Sequence, residues 1–461
     1  MMRPDTIIGN GSETLKQIRT GLCTTTLNSI REVLPDRDIE QGCREIGLIF
    51  RNRMLPPVVT VLHMVLAALW PEESFAAAWQ VMWDSMVSRR PHVAGNSPGS
   101  GSLAKARGRL PLELWERLFA GLAGRCADLA EGFDTWRGHR VVLLDGTCLS
   151  MSDEPGLMEA FGTNDGCHGR GNFPLARLVT ASLARSRTVL AYALGRYNEG
   201  ENTLSWPVLQ TLRKGDLIVA DRHFAGAALY ARYLAMDLHF LTRMHQRLKV
   251  SRLKRLVRYG RHDFLTELTV WPQYRRDDPT LPETVRVRAI RSTVRIRGKQ
   301  RVLWLVTSLL DAARYPAEEV VALYGLRWRI ETLFEELKVT MSADVLRSKT
   351  PEGVKKEVAA RMLTLNVLRT IVLDAAKQAG VKPERISFVH VVRAVIAFSP
   401  EMATAPVWKL PLIYHAMLHE IASHVIPLRS GRNEPRAVRR ERKHYPSLRI
   451  TRRLWRLTHA A

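Results

Sequence analysis

ALYGLRWRIETLFEELK, residues 322–338, is the stretch around which the rest of the chain is read. It has no Pro and one Gly, Gly325, near its start, followed by strong helix formers, so a helix is predicted here. At about 100° per residue, Leu326, Ile330, Leu333 and Leu337 form one apolar stripe. Tyr324, Arg327, Glu331 and Lys338 gather on the opposite side within an arc of roughly 60°. A packed helix usually turns its charge to water, so one reading is a solvated face. The other comes from the chemistry of the four groups. One carboxylate, two fixed cations and a phenol suit a metal-bound phosphate ester, provided the chain supplies further carboxylates.

Two apolar runs end in an acid. VVLLD (Val141–Asp145) is followed after Gly146 by TCLSM (Thr147–Met151), as a hairpin partner would be, and DLIVAD ends at Asp221. An acid at the C-terminal end of a strand sits at the rim where α/β sheets bind ligands. Taken singly, each is better explained as a turn or helix cap. Together with Glu331, Asp145 and Asp221 make a catalytic and metal-binding set. Hard oxygen ligands suit Mg²⁺ or Mn²⁺, and two such ions would clamp the attacking and leaving oxygens of a phosphoryl displacement. Glu335, Asp153 and Asp165 compete for these places. Glu331 is preferred because Arg327 and Lys338 flank it, and Asp216 is set aside because it begins its strand.

The expected fold class is α/β, a mixed sheet with helices, in five segments. Residues 1–135 read as a helical N-terminal, DNA-binding domain, with apolar helices over Val58–Trp70, Phe75–Val87 and Leu112–Leu129. After a Gly-, Ser- and Pro-rich break at Arg89–Gly101, SLAKARGRL carries Lys105, Arg107 and Arg109 behind a Ser102 cap; it is either a DNA-reading element or a solvated face. Residues 136–245 give a three-strand meander, a helix, a strand, a helix and a strand, the first part of a catalytic domain. Residues 246–301 look like a β-rich basic insertion, in which Thr284–Ile290 and Thr293–Arg297 alternate apolar residues with Arg. Two strands facing Arg286, Arg288, Arg295 and Arg297 outward would track phosphates, or simply face solvent. Residues 302–376 resume the catalytic domain, with a helix expected over Val354–Ala376. Residues 377–461 are a helical C-terminal region, with a helix over Ser387–Phe398 and a basic tail carrying 11 Lys or Arg between Arg429 and Arg456. Order in that tail is expected only with nucleic acid.

Composition narrows the partners. The 461 residues carry a formal charge of +24, with a pI near 10.4, and 46% are hydrophobic. A globular chain this basic is most simply explained by a polyanion, with DNA ahead of a membrane surface. Val58–Leu69 is too short to span a bilayer, and the polar residues after Met1 are not a secretory signal. Five scattered cysteines without a C-x-x-C pair fit reduced thiols in a cytosol and argue against a disulfide framework and a zinc site.

Tyr324, Arg327, Glu331 and Lys338 reproduce the Y-(2)-R-(3)-E-(6)-K signature of the insertion sequence 4 family of DDE transposases, which the chain resembles from about Leu103 onward. D-G-T at Asp145–Thr147, D-R with an aromatic at Asp221, Arg222 and Phe224, and E-P-R-A-V-R-R at Glu434–Arg440 add to the resemblance. It implies an RNase H-like catalytic domain interrupted by a β-rich insertion before its last helix. It further implies that Asp145, Asp221 and Glu331 hold the metals, while Tyr324, Arg327, Lys338 and Arg222 contact DNA phosphates. Some members flip a base onto an aromatic residue of the insertion; Trp271 is the only Trp there, and a packing role is the simpler reading. His223 departs from the family, where many relatives have Gly, and a structural role is preferred to proton transfer.

The implied function is a bacterial insertion-sequence transposase, cytoplasmic and nucleoid-associated. It would bind terminal inverted repeats and target DNA as a homodimer in a synaptic complex, and perform two-metal hydrolysis and strand transfer, cut-and-paste. The alternatives are a metal-dependent nuclease or resolvase without strand transfer, and a catalytically vestigial DNA-binding protein.

Overall fold

In the computed structural model, the two runs expected as a hairpin about Gly146 form one continuous strand, His139–Met151. The turn signal was Gly146 itself, yet no reversal occurs there. In an extended strand a Gly more often marks a close approach by another group, which is its part here. The structure describes residues 28–50, 54–70, 74–89, 96–166, 169–171, 173–296, 299–427 and 452–459. The chain divides into two units, Met1–Leu129 with Glu335–Ile426, and Ala130–Phe334 with Pro427–Ala461.

The second unit is built on a sheet. Its strands are β1 (Thr135–Trp136), β2 (His139–Met151), the small pair β3 (Asp165–Gly166) and β4 (Gly169–Arg170), β5 (Leu175–Leu183), β6 (Val189–Arg196), β7 (Leu217–Ala220), β8 (His239–Arg243), β9 (Val257–Gly260), β10 (Asp263–Thr269), β11 (Thr284–Ile296) and β12 (Lys299–Thr307). The sheet runs β6-β5-β2-β7-β8-β12-β11-β10-β9. β2, β5 and β6 are an antiparallel meander, and β7 lies parallel to both β2 and β8. LIVA of β7 is wholly buried, as expected for a central parallel strand covered on both faces. The helix Glu201–Leu209 leads from β6 towards β7, and Ala227–Ala235 joins β7 to β8.

The segment read as an insertion extends this same sheet, because β12 pairs antiparallel with β8. Its Arg ribbon is corrected. Thr284–Ile296 is a single strand, paired along Arg288–Ile296 with Lys299–Thr307. Side chains alternate along a strand, so Arg286 and Arg288 share one parity, yet one is exposed and the other buried. No single Arg face results. Arg288 is fully buried: its Nε donates to Asp263 at 2.7 Å and its Nη1 to the Tyr315 carbonyl at 2.6 Å. Arg286 stays exposed, 3.3 Å from Glu267. Arg297 and the segment Glu434–Arg440 lie outside the described residues, as does most of the basic tail.

The first unit is helical. Pro57–Leu69 is buried almost throughout, as a helix apolar on all sides must be. Pro351–Ala379 is a 29-residue helix capped by the Thr350 side chain at its start and by left-handed Gly380 at its end. By its contacts it groups with the N-terminal helices. Its buried Arg361 explains part of that long seat, pairing with Glu357 at 2.9 Å and donating to the Met341 carbonyl at 2.5 Å. Arg107, read as a DNA contact, sits over the Phe75 ring at 4.2 Å, whereas Lys105 is exposed. Residues two apart on a helix point in different directions, so the two cannot share one reading face. No helix among the described residues is long and apolar enough to cross a membrane.

Candidate active site

Strand register brings the first two acids together. β2 and β7 run parallel with Val141 opposite Leu217 and, at the last paired step, Leu144 opposite Ala220. The next residues are Asp145 and Asp221. At this point β7 ends, while β2 continues beside β5, with Asp145 opposite Thr180. Asp145 therefore lies within a long strand, not at its end, but at the rim of the parallel pairing. That is the opening where ligands enter α/β sheets. Asp216, set aside by sequence, lies at the other end of β7 in a buried pair with Arg140, at 2.9 and 2.6 Å.

Both acids also do the local work of caps. Asp145 Oδ1 accepts from the Gly146 amide at 2.8 Å, and Asp221 Oδ1 accepts from the His223 amide at 2.5 Å. The second bond starts the short 3₁₀ turn Arg222–Phe224, which puts Phe224 in the core and leaves the His223 side chain exposed. Arg222 reaches Gln246 at 3.0 Å. Capping fixes the carboxylates' orientation without using up their acceptor capacity.

The third acid comes from the signature stretch, which is helical but not one regular helix. It runs as α-helix Ala317–Tyr324, 3₁₀ turn Gly325–Trp328, α-helix Arg329–Glu335 and a π-helical turn Glu336–Thr340. The tighter and wider turns change the angular step, so a uniform 100° count does not carry from Tyr324 to Lys338. Ile330, Leu333 and Leu337 are buried as the apolar stripe required. Tyr324 and Arg327 are buried too, at 6% and 9% exposure, so theirs is not a solvated face. Arg327 Nη2 donates to Glu331 Oε1 at 3.1 Å, and Nη1 lies 3.7 Å from Asp145 Oδ2. One guanidinium thus spans the helix acid and the strand acid. Lys338 lies on the π-helical turn, in the part of the chain grouped with the helical unit.

Electrostatics follow from this crowding. Burial, reinforced by the like charges of Asp221 and Glu201, pushes the Asp145 carboxyl up to about 6, although the Gly146 amide and Arg327 pull it down. Burial likewise raises the Tyr324 phenol to about 12, so it stays neutral and able to donate at ordinary pH. The Asp145 carboxyl thus lies beside two other carboxylates, Asp221 and Glu201, and one cation, Arg327.

Glu201 escaped the sequence reading. A Cβ on Gly146 would meet its Cδ at 2.8 Å, so the Glu201 carboxylate lies directly against the Gly146 backbone. Arg177 holds it at 3.0 Å and itself donates to the Tyr197 carbonyl. The available signal was an acid on the first turn of the helix that follows the meander, in a chain whose β2 has a Gly beside its acid. Trp271 was expected to pack but is 66% exposed, at the start of the short helix Pro272–Asp277.

The profile of the transposase DDE domain family matches residues 136–367, half of the chain. Over 427 residues, 91% of this chain and 94% of the relative, the sequence is 27% identical to the transposase InsG for insertion sequence element IS4 of Escherichia coli strain K12. Over 68 residues, 15% of this chain and 18% of that protein, it is 40% identical to the transposase for insertion sequence element IS421 of Escherichia coli. Among solved structures, it is similar to a piggyBac transposase in a synaptic complex with hairpin DNA. That likeness has a TM-score of 0.38 at 11% identity, over 88% of this chain and 86% of that one, and is too distant to fix any element.

Proposed function

The chain belongs to the transposase DDE domain family and is an insertion-sequence transposase, and from that premise we propose that Asp145, Asp221 and Glu331 are its catalytic carboxylates. The observation that carries this reading is the β2–β7 register, with Arg327 joining Asp145 to Glu331. Sheet order β6-β5-β2-β7-β8, with one acid within β2 and the other just past the end of β7, supports an RNase H-like catalytic domain.

The family generally uses divalent metal ions, and the all-oxygen donor set fits Mg²⁺ or Mn²⁺, held by Asp145, Asp221 and Glu331. When bound, two such ions activate a water or a 3′-hydroxyl and stabilise the leaving oxygen. The protein's own groups prepare that chemistry. The amides of Gly146 and His223 fix the two Asp carboxylates. Arg327 holds Glu331 towards the strands, and its guanidinium would offer its remaining donors to a scissile phosphate. Tyr324 stays protonated and offers a hydrogen bond to a phosphate oxygen, while Lys338 and Arg222 supply further phosphate contacts. Lys105, Arg286 and Arg295 are the remaining candidates for backbone contacts, and Trp271, exposed at the start of the helix Pro272–Asp277, for an unpaired base.

The reaction we assign is hydrolysis at the element's ends followed by direct attack of the freed 3′-hydroxyl on a second phosphodiester, by a dimer holding two ends. A pre-cleaved, labelled element end incubated with target DNA and Mg²⁺ or Mn²⁺ tests the second step. Covalent joining is expected. Cleavage of intact ends without any joining would reduce the protein to a nuclease, and a protein–DNA adduct would replace the direct mechanism.

A further inference from the structure

In the helical unit, far in sequence from the carboxylates, His390 stands on the first turn of the helix Phe388–Thr404. Glu420 and His424 stand one turn apart at the end of the helix Leu410–Ser423. One ligand atom from each of the three lies within 4.8 Å of the others. His390 Nε2 is 3.8 Å and His424 Nδ1 3.5 Å from Glu420 Oε1. Donors about 2.0–2.1 Å from one tetrahedral ion stand roughly 3.4 Å apart, so little movement is needed to seat one.

One further observation points to a ligand. His390 Nε2 is buried without a hydrogen-bond partner among the described residues, a state that costs about 1–3 kcal/mol if nothing occupies it. The backbone also holds the two helices' ends together. Ile386 bridges Val425, the Ile426 amide donates to the Arg385 carbonyl at 2.7 Å, and Arg385 Nε donates to the Ile426 carbonyl at 2.6 Å. The His390 and His424 rings lie 4.1 Å apart in a tilted stack, leaving the carboxylate to face both nitrogens. His424 Nδ1 is also near Ser423 Oγ at 2.9 Å and the Glu420 carbonyl at 3.2 Å.

We propose that His390, Glu420 and His424 form a binding site for a borderline divalent ion of the Zn²⁺ class, separate from the catalytic carboxylates. Two imidazoles and one carboxylate suit Zn²⁺, whereas Mg²⁺ prefers oxygen alone. The ion would staple the start of one helix to the end of the next. The fourth position is left to water. Cysteine spacing could not reveal this site, since it has no sulfur and its ligands meet only in the fold.

The test uses full-length protein stripped with a chelator and then titrated with ZnCl₂ against a chromophoric competitor. The carboxylate site is silenced by Asp145→Asn, Asp221→Asn and Glu331→Gln together. One Zn²⁺ equivalent is expected to remain, with affinity falling at least about tenfold in His390→Gln and in His424→Gln. Zn²⁺ should raise the melting temperature of the parent and not of either His variant. Glu420→Gln serves as a third variant should a His substitution disturb folding, judged by circular dichroism without metal. No retained equivalent, or one that survives all three ligand substitutions undiminished, would overturn the proposal.

Discussion

At Asp145 a buried carboxyl meets the like charges of Asp221 and Glu201, and its upward shift has two consequences of opposite sign. A bound cation must displace the proton, so metal affinity and cleavage are expected to fall as pH drops through about 6 and to level off above it. Mn²⁺ titrations between pH 5 and 8 check this; a flat affinity across that range would contradict it. Stability runs the other way. A carboxyl raised on folding stabilises the native state below its ordinary range and loses that contribution as pH rises to about 6. Without metal at pH 7, Asp145→Asn is therefore expected to stabilise the protein by about 1–3 kcal/mol while abolishing cleavage. Urea unfolding measures it, and a destabilised variant would count against the account. Gly146 is the neighbouring test. A methyl there must push aside Glu201 and disturb the strand beside Asp145, so Gly146→Ala is expected to slow cleavage roughly 10- to 100-fold with DNA binding kept.

Elements show why part of the molecule was legible in sequence and part was not. Apolar runs ending in Asp145 and Asp221 are strand signals carried by consecutive residues, and the signature stretch carries its stripe in Ile330, Leu333 and Leu337. What the sequence could not show was register. Leu144 opposite Ala220 sets the two acids side by side, and only pairing decides it. The same holds for Gly146, a turn signal by composition and a close-approach site in fact. Arg288 was misread for a related reason: its partner Asp263 is on the neighbouring strand, and alternation within one strand cannot reveal a buried ion pair. Removing one member of such a pair strands the other, so Arg288→Ala is expected to cost about 3–5 kcal/mol, against under about 0.5 for exposed Arg286→Ala. Chemical denaturation separates them. Equal small effects would return Arg288 to the surface reading.

For the whole molecule, a formal charge of +24 makes DNA affinity steeply dependent on salt. If six to ten phosphates are contacted, binding of an element end is expected to weaken roughly 10³- to 10⁵-fold between about 50 and 200 mM salt. Fluorescence anisotropy gives the slope, and a shallow one would mean that the basic charge serves some other purpose. The central claim concerns the three carboxylates, and cleavage of a labelled element end tests it most directly. Asp145→Asn, Asp221→Asn and Glu331→Gln are each compared with wild type in Mg²⁺ and Mn²⁺, with DNA binding measured alongside. Each single variant is expected to lose cleavage by about 10³-fold or more while binding the end nearly as before. Wild-type cleavage by any one of the three would remove that residue from the site and break the account.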